Sequence, residues 1–204
     1  VFDAGISDDR AYIAMELLKG RDLRQLREEG WRATPAQAAL IVRRVADALG
    51  YAHSKGVVHR DIKPANIFMV GRTQPKVLDF GIARVAQQQG QPDGAAVPFA
   101  AGDSLGGTSL PPSELGSPYY VAPEQLRGEP LDLRCDVYGV GVVLYELLIG
   151  RRAFEGRSLE GIRKAVLQAD VPTAASVNRN VNAGLSAIVA RAMARNPAQR
   201  YRSA

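Results

Sequence analysis

Asp61, Lys63 and Asn66 set a carboxylate, an ammonium group and a neutral amide within six consecutive positions. That set suits one kind of reaction. Moving a phosphoryl group onto a hydroxyl needs a carboxylate beside the attacking oxygen, a cation on the moving phosphate, and oxygen ligands for a divalent metal ion. Asp61 would orient the hydroxyl and accept its proton. Lys63 would neutralise charge on the transferred group, and Asn66 would offer an amide oxygen to a hard cation such as Mg²⁺. Each residue alone reads as surface decoration, but at this spacing the three do not read as a solvated loop.

The surrounding stretch, His59-Arg60-Asp61-Ile62-Lys63-Pro64-Ala65-Asn66, resembles the protein-kinase catalytic loop H-R-D-x-K-P-x-N at every fixed position. A chance match of this kind in a chain of 204 residues has a probability on the order of 10⁻⁶. The wording is similar to that of eukaryotic-like (Hanks-type) serine/threonine kinases of bacteria. Asp79-Phe80-Gly81 follows eighteen positions after Asp61. A lone Asp-Phe-Gly is a weak signal. Across one hairpin from the catalytic loop it is a strong one, because the hairpin can bring both carboxylates to one cleft. The resemblance then implies that Asp79, with Asn66, binds Mg²⁺ and that Phe80 sets whether Asp79 points in or out. It also implies ATP as the nucleotide and Phe68 beneath its adenine ring, a position equally compatible with plain core. Lys63 favours Ser or Thr over Tyr as acceptor, and argues against small-molecule kinases of the aminoglycoside type.

Elements must hold these groups in place. Val1–Gly5 and Ala11–Leu17 read as two strands joined through Ser7–Arg10, with a turn and short helix from Leu18 to Leu23. In kinases the second of these strands leads into the hinge between lobes. The resemblance therefore makes Met15 the gatekeeper and sets the backbone of Glu16 and Leu18 on the adenine edge. Thr34-Pro35-Ala36-Gln37 is a helix start with a capping box. Ile41, Val45, Leu49 and Ala52 continue that helix at three- to four-residue spacing, and Gly56 ends it. Val57–Val58 reads as a short strand delivering His59. The His59 ring could be a ligand or an acid-base group; a packed histidine is the plainer reading, and the resemblance places it in a spine with Phe80 and Val1. Ile67–Val70 and Lys76–Leu78 flank a hairpin turn at 71–75.

Residues 87–116 hold six Gly, four Pro, four Gln and four Ser or Thr, a makeup that buries too little surface to fold alone. They occupy the place of the activation loop. Phosphorylation of Ser104, Thr108, Ser109 or Ser113, with Thr108 or Ser109 favoured, would need cationic partners from outside, Arg60 first and Arg84 second. A flexible insert without regulatory role is the alternative. The segment 116–124 is similar to the one that closes this loop in kinases, with Ser117 where the family has Thr and its hydroxyl expected to reach Asp61 and Lys63. Glu124 would be buried and so needs a partner; in kinases it is an arginine at the position of Arg200. Asp136–Ile149 is apolar nearly all round, a helix buried on every side and closed by Gly150. Its capping Asp136 resembles the kinase residue that holds the catalytic-loop backbone. Ser158–Gln168 and Asn182–Arg195 read as amphipathic helices without chemistry of their own.

The expected fold is α+β and protein-kinase-like. Residues 1–18 would be the last two small-lobe strands and the hinge. Residues 19–204 would be a mostly helical large lobe, with catalytic loop 59–66 and activation loop 79–124. The glycine-rich loop, the strand lysine and its glutamate have no counterpart in the sequence and belong upstream of Val1, and Tyr201–Ala204 stops without a helix end signal, so both ends read as cut from a longer kinase. The missing small-lobe segment of that same chain would then be a partner. The piece alone is expected to be inactive and poorly soluble. Net charge is +5 with the basic residues dispersed, which gives no reason to expect nucleic acid as a partner. Cys135, the single cysteine, excludes an intrachain disulfide and reads as a buried, inert thiol. No apolar run approaches 18 residues, so no membrane contact is expected of this segment. Its expected place is the cytoplasm, free or as the cytoplasmic part of a membrane-anchored kinase. Protein substrates are the implied partners. A pseudokinase scaffold is the alternative from another class, although it has no chemical need of Asp61, Lys63, Asn66 and Asp79. A regulatory remnant beginning near Val1 is a third.

Overall fold

The structure is a computed structural model and describes residues 2–7, 10–71, 74–80 and 118–204. Two small sheets precede and flank a helical body, an α+β arrangement. Strands β1 (Asp3–Ser7) and β2 (Arg10–Ala14) form an antiparallel hairpin, Asp3 opposite Ala14 and Ser7 opposite Arg10. The second strand is shorter than expected. It ends at Ala14, and 15–19 runs on without a ladder partner among the described residues. Phe2, Ile6 and Leu17 on this hairpin and its exit are 79, 78 and 88% exposed.

A strand unforeseen in the sequence, β3 (Gly20–Asp22), pairs antiparallel with β4 (Ile67–Val70), which pairs with β5 (Gln74–Val77). Three residues carry too little alternation to be read as a strand. What marks β3 is Gly20, where any Cβ would collide with the Met69 carbonyl oxygen. Pro75 has no N–H to donate and sits on the edge strand, where none is needed. Asp22 then starts α1 (Leu23–Glu28), its side chain accepting the Gln25 N–H at 2.7 Å while Gln25 Oε1 accepts the Asp22 N–H.

The body is built on two helices. In α2 (Pro35–Ser54), Thr34 Oγ1 accepts the Gln37 N–H and Gln37 Oε1 accepts the Thr34 N–H, the expected capping box. Its Ala38, Ile41, Val42, Val45 and Leu49 form one buried stripe. Val57–Val58, expected as a strand, joins no ladder; hydrogen bonds donated to Asp136 by the backbone beyond it fix the chain instead. Helix α3 is Pro123–Arg127, and α4 spans Arg134–Ile149, buried around nearly its whole circumference and stopped by Gly150 at φ +77°. Asp136 thus lies inside the first turn of α4 and does not cap it; its carboxylate serves another segment. Helix α5 (Leu159–Gln168) packs on α3 and the turn Pro118–Tyr120, while the short α6 (Ala174–Val177) and α7 (Ala183–Ala192) pack on α4, the last ending three residues earlier than its sequence pattern implied. Among the described residues no helix is long and apolar enough to cross a membrane.

Candidate active site

Residues 57–63 have no regular structure, so side chains must fix them. Asp136, 1% exposed, does most of this. Its Oδ2 accepts the His59 N–H at 2.8 Å, and its Oδ1 accepts the Arg60 N–H at 2.7 Å. His53 Nε2 lies 2.9 Å from the same Oδ2. Arg60 is held at φ +68°, a conformation non-glycine residues adopt only where their surroundings enforce it. From the other side Gln125, at the start of α3, donates to the Arg60 carbonyl at 2.9 Å. Beneath the loop Gly139 of α4 lets it come close: a Cβ there would sit 3.0 Å from Ile62 Cβ.

The His59 ring, fully buried, has both nitrogens engaged. Nδ1 accepts the Asp61 N–H at 3.2 Å, so Nε2 carries the proton and donates to the Leu78 carbonyl at 2.8 Å. The ring also rests on Phe80, centroids 4.9 Å apart. His59 is therefore a brace and no ligand or acid-base group. It holds the end of β5 against the catalytic loop, and the Leu78 N–H donates to the Asn66 carbonyl at 2.8 Å. Asp79 follows a residue pinned on both sides by that loop. It takes φ +56° and leaves its side chain exposed.

The three residues read first in the sequence meet directly. Lys63 Nζ is 2.7 Å from Asp61 Oδ2, and Asn66 Nδ2 donates to the Asp61 carbonyl at 2.9 Å and to Oδ2 at 3.2 Å. Asn66 is 6% exposed, whereas the Asp61 side chain is 43% exposed, so the carboxylate opens to solvent above a buried support. With its nitrogen turned to Asp61, the Asn66 amide presents its oxygen the opposite way. Pro64–Asn66 is a single turn of 3₁₀ helix, which sets the spacing among the three.

The oxygen donors fit Mg²⁺ and a phosphate chain. Asp79 and Asn66 are hard ligands, and among the described residues no group of three His, Cys, Asp or Glu could enclose a metal unaided. Mg²⁺ commonly takes one or two protein oxygens and completes its shell from substrate phosphates and water. Where adenine was expected, Met15 is exposed and Leu18 half-buried, and the backbone of Glu16 and Leu18 belongs to neither sheet. The Glu16 side chain pairs with Lys76 of β5 at 2.6 Å, tying this segment to the second sheet. Phe68 lies half-buried in β4 against Gly20.

The far end of the chain closes the site. Arg200 Nη1 and Nη2 donate to Glu124 Oε1 and Oε2 at 2.6 and 2.8 Å, the expected pair, with both residues buried. Cys135 is buried, and burial first, then the neighbouring Asp136, pushes its thiol far above the ordinary range. Val1, Arg84, Ser104, Thr108, Ser109, Ser113 and Ser117 lie outside the described residues. Sequence reading missed His53, Gln125, and the buried Glu146 that accepts the Tyr120 hydroxyl at 2.5 Å. His53 left a trace: it lies four positions after Leu49, on the buried stripe of α2. Gln125 and Glu146 left none, because only the tertiary fold brings their partners near.

The sequence profile of the protein kinase domain matches residues 1–204. A probable serine/threonine-protein kinase PknB of Corynebacterium glutamicum is 38% identical over 213 residues, covering all of this chain and 30% of that protein. The serine/threonine-protein kinase PknB of Mycobacterium tuberculosis is 34% identical, with 31% of its length covered. The kinase pkn3 of Myxococcus xanthus is 37% identical, with 36% covered. The chain thus spans about a third of the length of these relatives. With its catalytic-loop turn, its pinned Asp79 and a match along its whole length, this chain belongs to the protein kinase family.

Proposed function

We propose that this chain carries the phosphotransfer residues of an ATP-dependent kinase acting on serine and threonine hydroxyls of proteins. The observation that carries the reading is the Asp61–Lys63–Asn66 cluster, together with the double clamp on Leu78, the residue before Asp79. Asp61, open to solvent on a fixed backbone, receives the acceptor hydroxyl and takes its proton. Lys63 is close enough to lay positive charge beside the group that moves. Asn66 and Asp79 would hold Mg²⁺ through oxygen, and the segment from Met15 to Leu18, with Phe68, would seat the adenine. Bound MgATP supplies the phosphoryl group and screens the charge on its oxygens.

Residues 1–18 serve as small-lobe strands and hinge, and 19–204 as the large lobe. The exposed Phe2, Ile6 and Leu17 suit cover by further polypeptide of a longer kinase. Arg60 Nε is buried without a hydrogen-bond partner among the described residues, which favours it as the seat for a phosphate on the segment 81–117.

The test is phosphate transfer from labelled ATP by the full-length protein. Asp61→Asn keeps the size and loses the base, so kcat should fall by about 10²–10⁴-fold while ATP affinity is kept. Unchanged kcat in that variant overturns the assignment.

A further inference from the structure

Beside the catalytic turn the molecule gathers more positive charge than it neutralises. Pro64, directly after Lys63, lines a small cavity together with Arg27, Trp31, Arg32 and Glu146. Glu146 is the one carboxylate there among the described residues, and it is already engaged. Arg27 pairs with its Oε1, and the Tyr120 hydroxyl donates to its Oε2. Among the described residues Arg32, exposed, donates to the main-chain oxygens of Trp31 at 2.9 Å and Arg27 at 3.2 Å. Arg152 stands over the Tyr119 ring at 4.0 Å. Neither Arg32 nor Arg152 has a carboxylate partner among the described residues.

These groups form one patch. A Cβ on Gly150 would lie 3.4 Å from Arg32 Nε, and Arg152 follows two residues later. Three guanidinium groups and one carboxylate leave a formal excess of two positive charges. Arg151 adds none, since Glu155 is 3.9 Å away. Buried Tyr119 and Tyr120 wall the patch, so its field is screened less than on an open surface. Guanidinium forks match carboxylate and phosphate oxygens in pairs.

We propose that this patch selects protein substrates bearing an anionic side chain, Asp, Glu or a phosphorylated residue, within three positions of the acceptor hydroxyl. The inference rests on Asp61 being the residue that receives that hydroxyl. An extended peptide advances about 3.3 Å per residue, so three residues reach about 10 Å from Asp61. Lys63, bonded to Asp61 at 2.7 Å, is the neighbour in sequence of Pro64 in the cavity wall, so the cavity opens beside the turn that carries Asp61.

The experiment uses the full-length protein and peptides with one Thr in a neutral Ala-Gly background. Asp, phosphoserine or Lys is placed in turn at each of the three positions on either side. At one or more positions Asp or phosphoserine should raise kcat/KM about tenfold over the neutral peptide, with Lys lowering it. The advantage should shrink as salt is raised. A larger gain with Asp identifies a carboxylate site, and a larger gain with phosphoserine a site for previously phosphorylated substrates. Arg152→Glu should reverse the order in favour of Lys, which a merely structural role would not do. Arg32→Glu, at an exposed side chain, reads the same reversal should Arg152→Glu fail to fold. Equal kcat/KM for neutral, acidic and Lys peptides overturns the inference and leaves phosphotransfer standing. So does an acidic preference untouched by both variants. No transfer to any peptide, the neutral one included, overturns the phosphotransfer reading and the inference with it.

Discussion

One carboxylate, that of Asp136, accepts from two consecutive backbone N–H groups and meets a histidine ring, all in a place water does not reach. Asparagine at this position would keep one acceptor oxygen and turn an NH₂ toward a backbone donor. Leaving such a group unpaired in the interior costs about 1–3 kcal/mol. Asp136→Asn should therefore lower the unfolding free energy measured in urea by that amount, with a lower midpoint, and should lower kcat more than it raises KM, because the distorted segment carries Asp61. An unchanged midpoint would show that the backbone is held by something else. Asp61, Lys63 and Asn66 were legible in the sequence because their spacing is local, set by one short turn. Asp136 was legible only through family resemblance, and its placement as a helix cap was wrong. Two residues more of helix at the N-terminus turn the same side chain from its own helix toward a neighbour.

At the level of elements, the periodic helices were readable and the short strands were not. The caps of α2 are written in Thr34 and Gln37, whose partners lie three residues apart. The strand β3 is three residues long and exists because β4 lies alongside, which no local pattern records. The burial of α4 also fixes the chemistry of its cysteine. Because burial holds the Cys135 thiol protonated beyond its ordinary value of 9.0, the folded chain keeps a proton that the unfolded chain gives up. The sign follows: this contribution to stability is full below about pH 9 and drains away as pH rises above it. A thiol reagent at pH 8 should leave Cys135 unmodified in the folded protein and label it fully in denaturant. Rapid labelling under native conditions would contradict the packing of α4.

For the whole molecule, the tie between Glu124 and Arg200 matters most, since it spans 76 residues and joins the segment closing the site to the end of the chain. Removing one member of such a buried pair typically costs about 3–5 kcal/mol, because the other charge is left in the interior without a partner. Arg200→Met should reach that range in equilibrium unfolding, and Glu124→Gln combined with Arg200→Met should be less destabilising than Arg200→Met alone. Additive losses would mean that the two charges are stabilised separately. The expected α+β architecture and the long-range pair both emerged from the sequence, since the motifs that announce them are short and far apart but fixed in order. The arginine patch did not, because Arg152 lies far along the chain from Arg27 and Arg32 and joins them only once the chain is folded.

The β4–β5 hairpin has a consequence for how this protein tolerates change in length. Its ladder runs from Ile67 opposite Val77 to Val70 opposite Gln74, and Leu78 is then gripped by the catalytic loop. Residues added at the tip, between Gly71 and Gln74, lie beyond the ladder and leave every downstream pairing in step. A single residue added between Val77 and Asp79 would rotate the carboxylate to the opposite face of the chain. The same insertion is thus silent at one end of an eleven-residue hairpin and, at the other, displaces the carboxylate proposed to hold the metal.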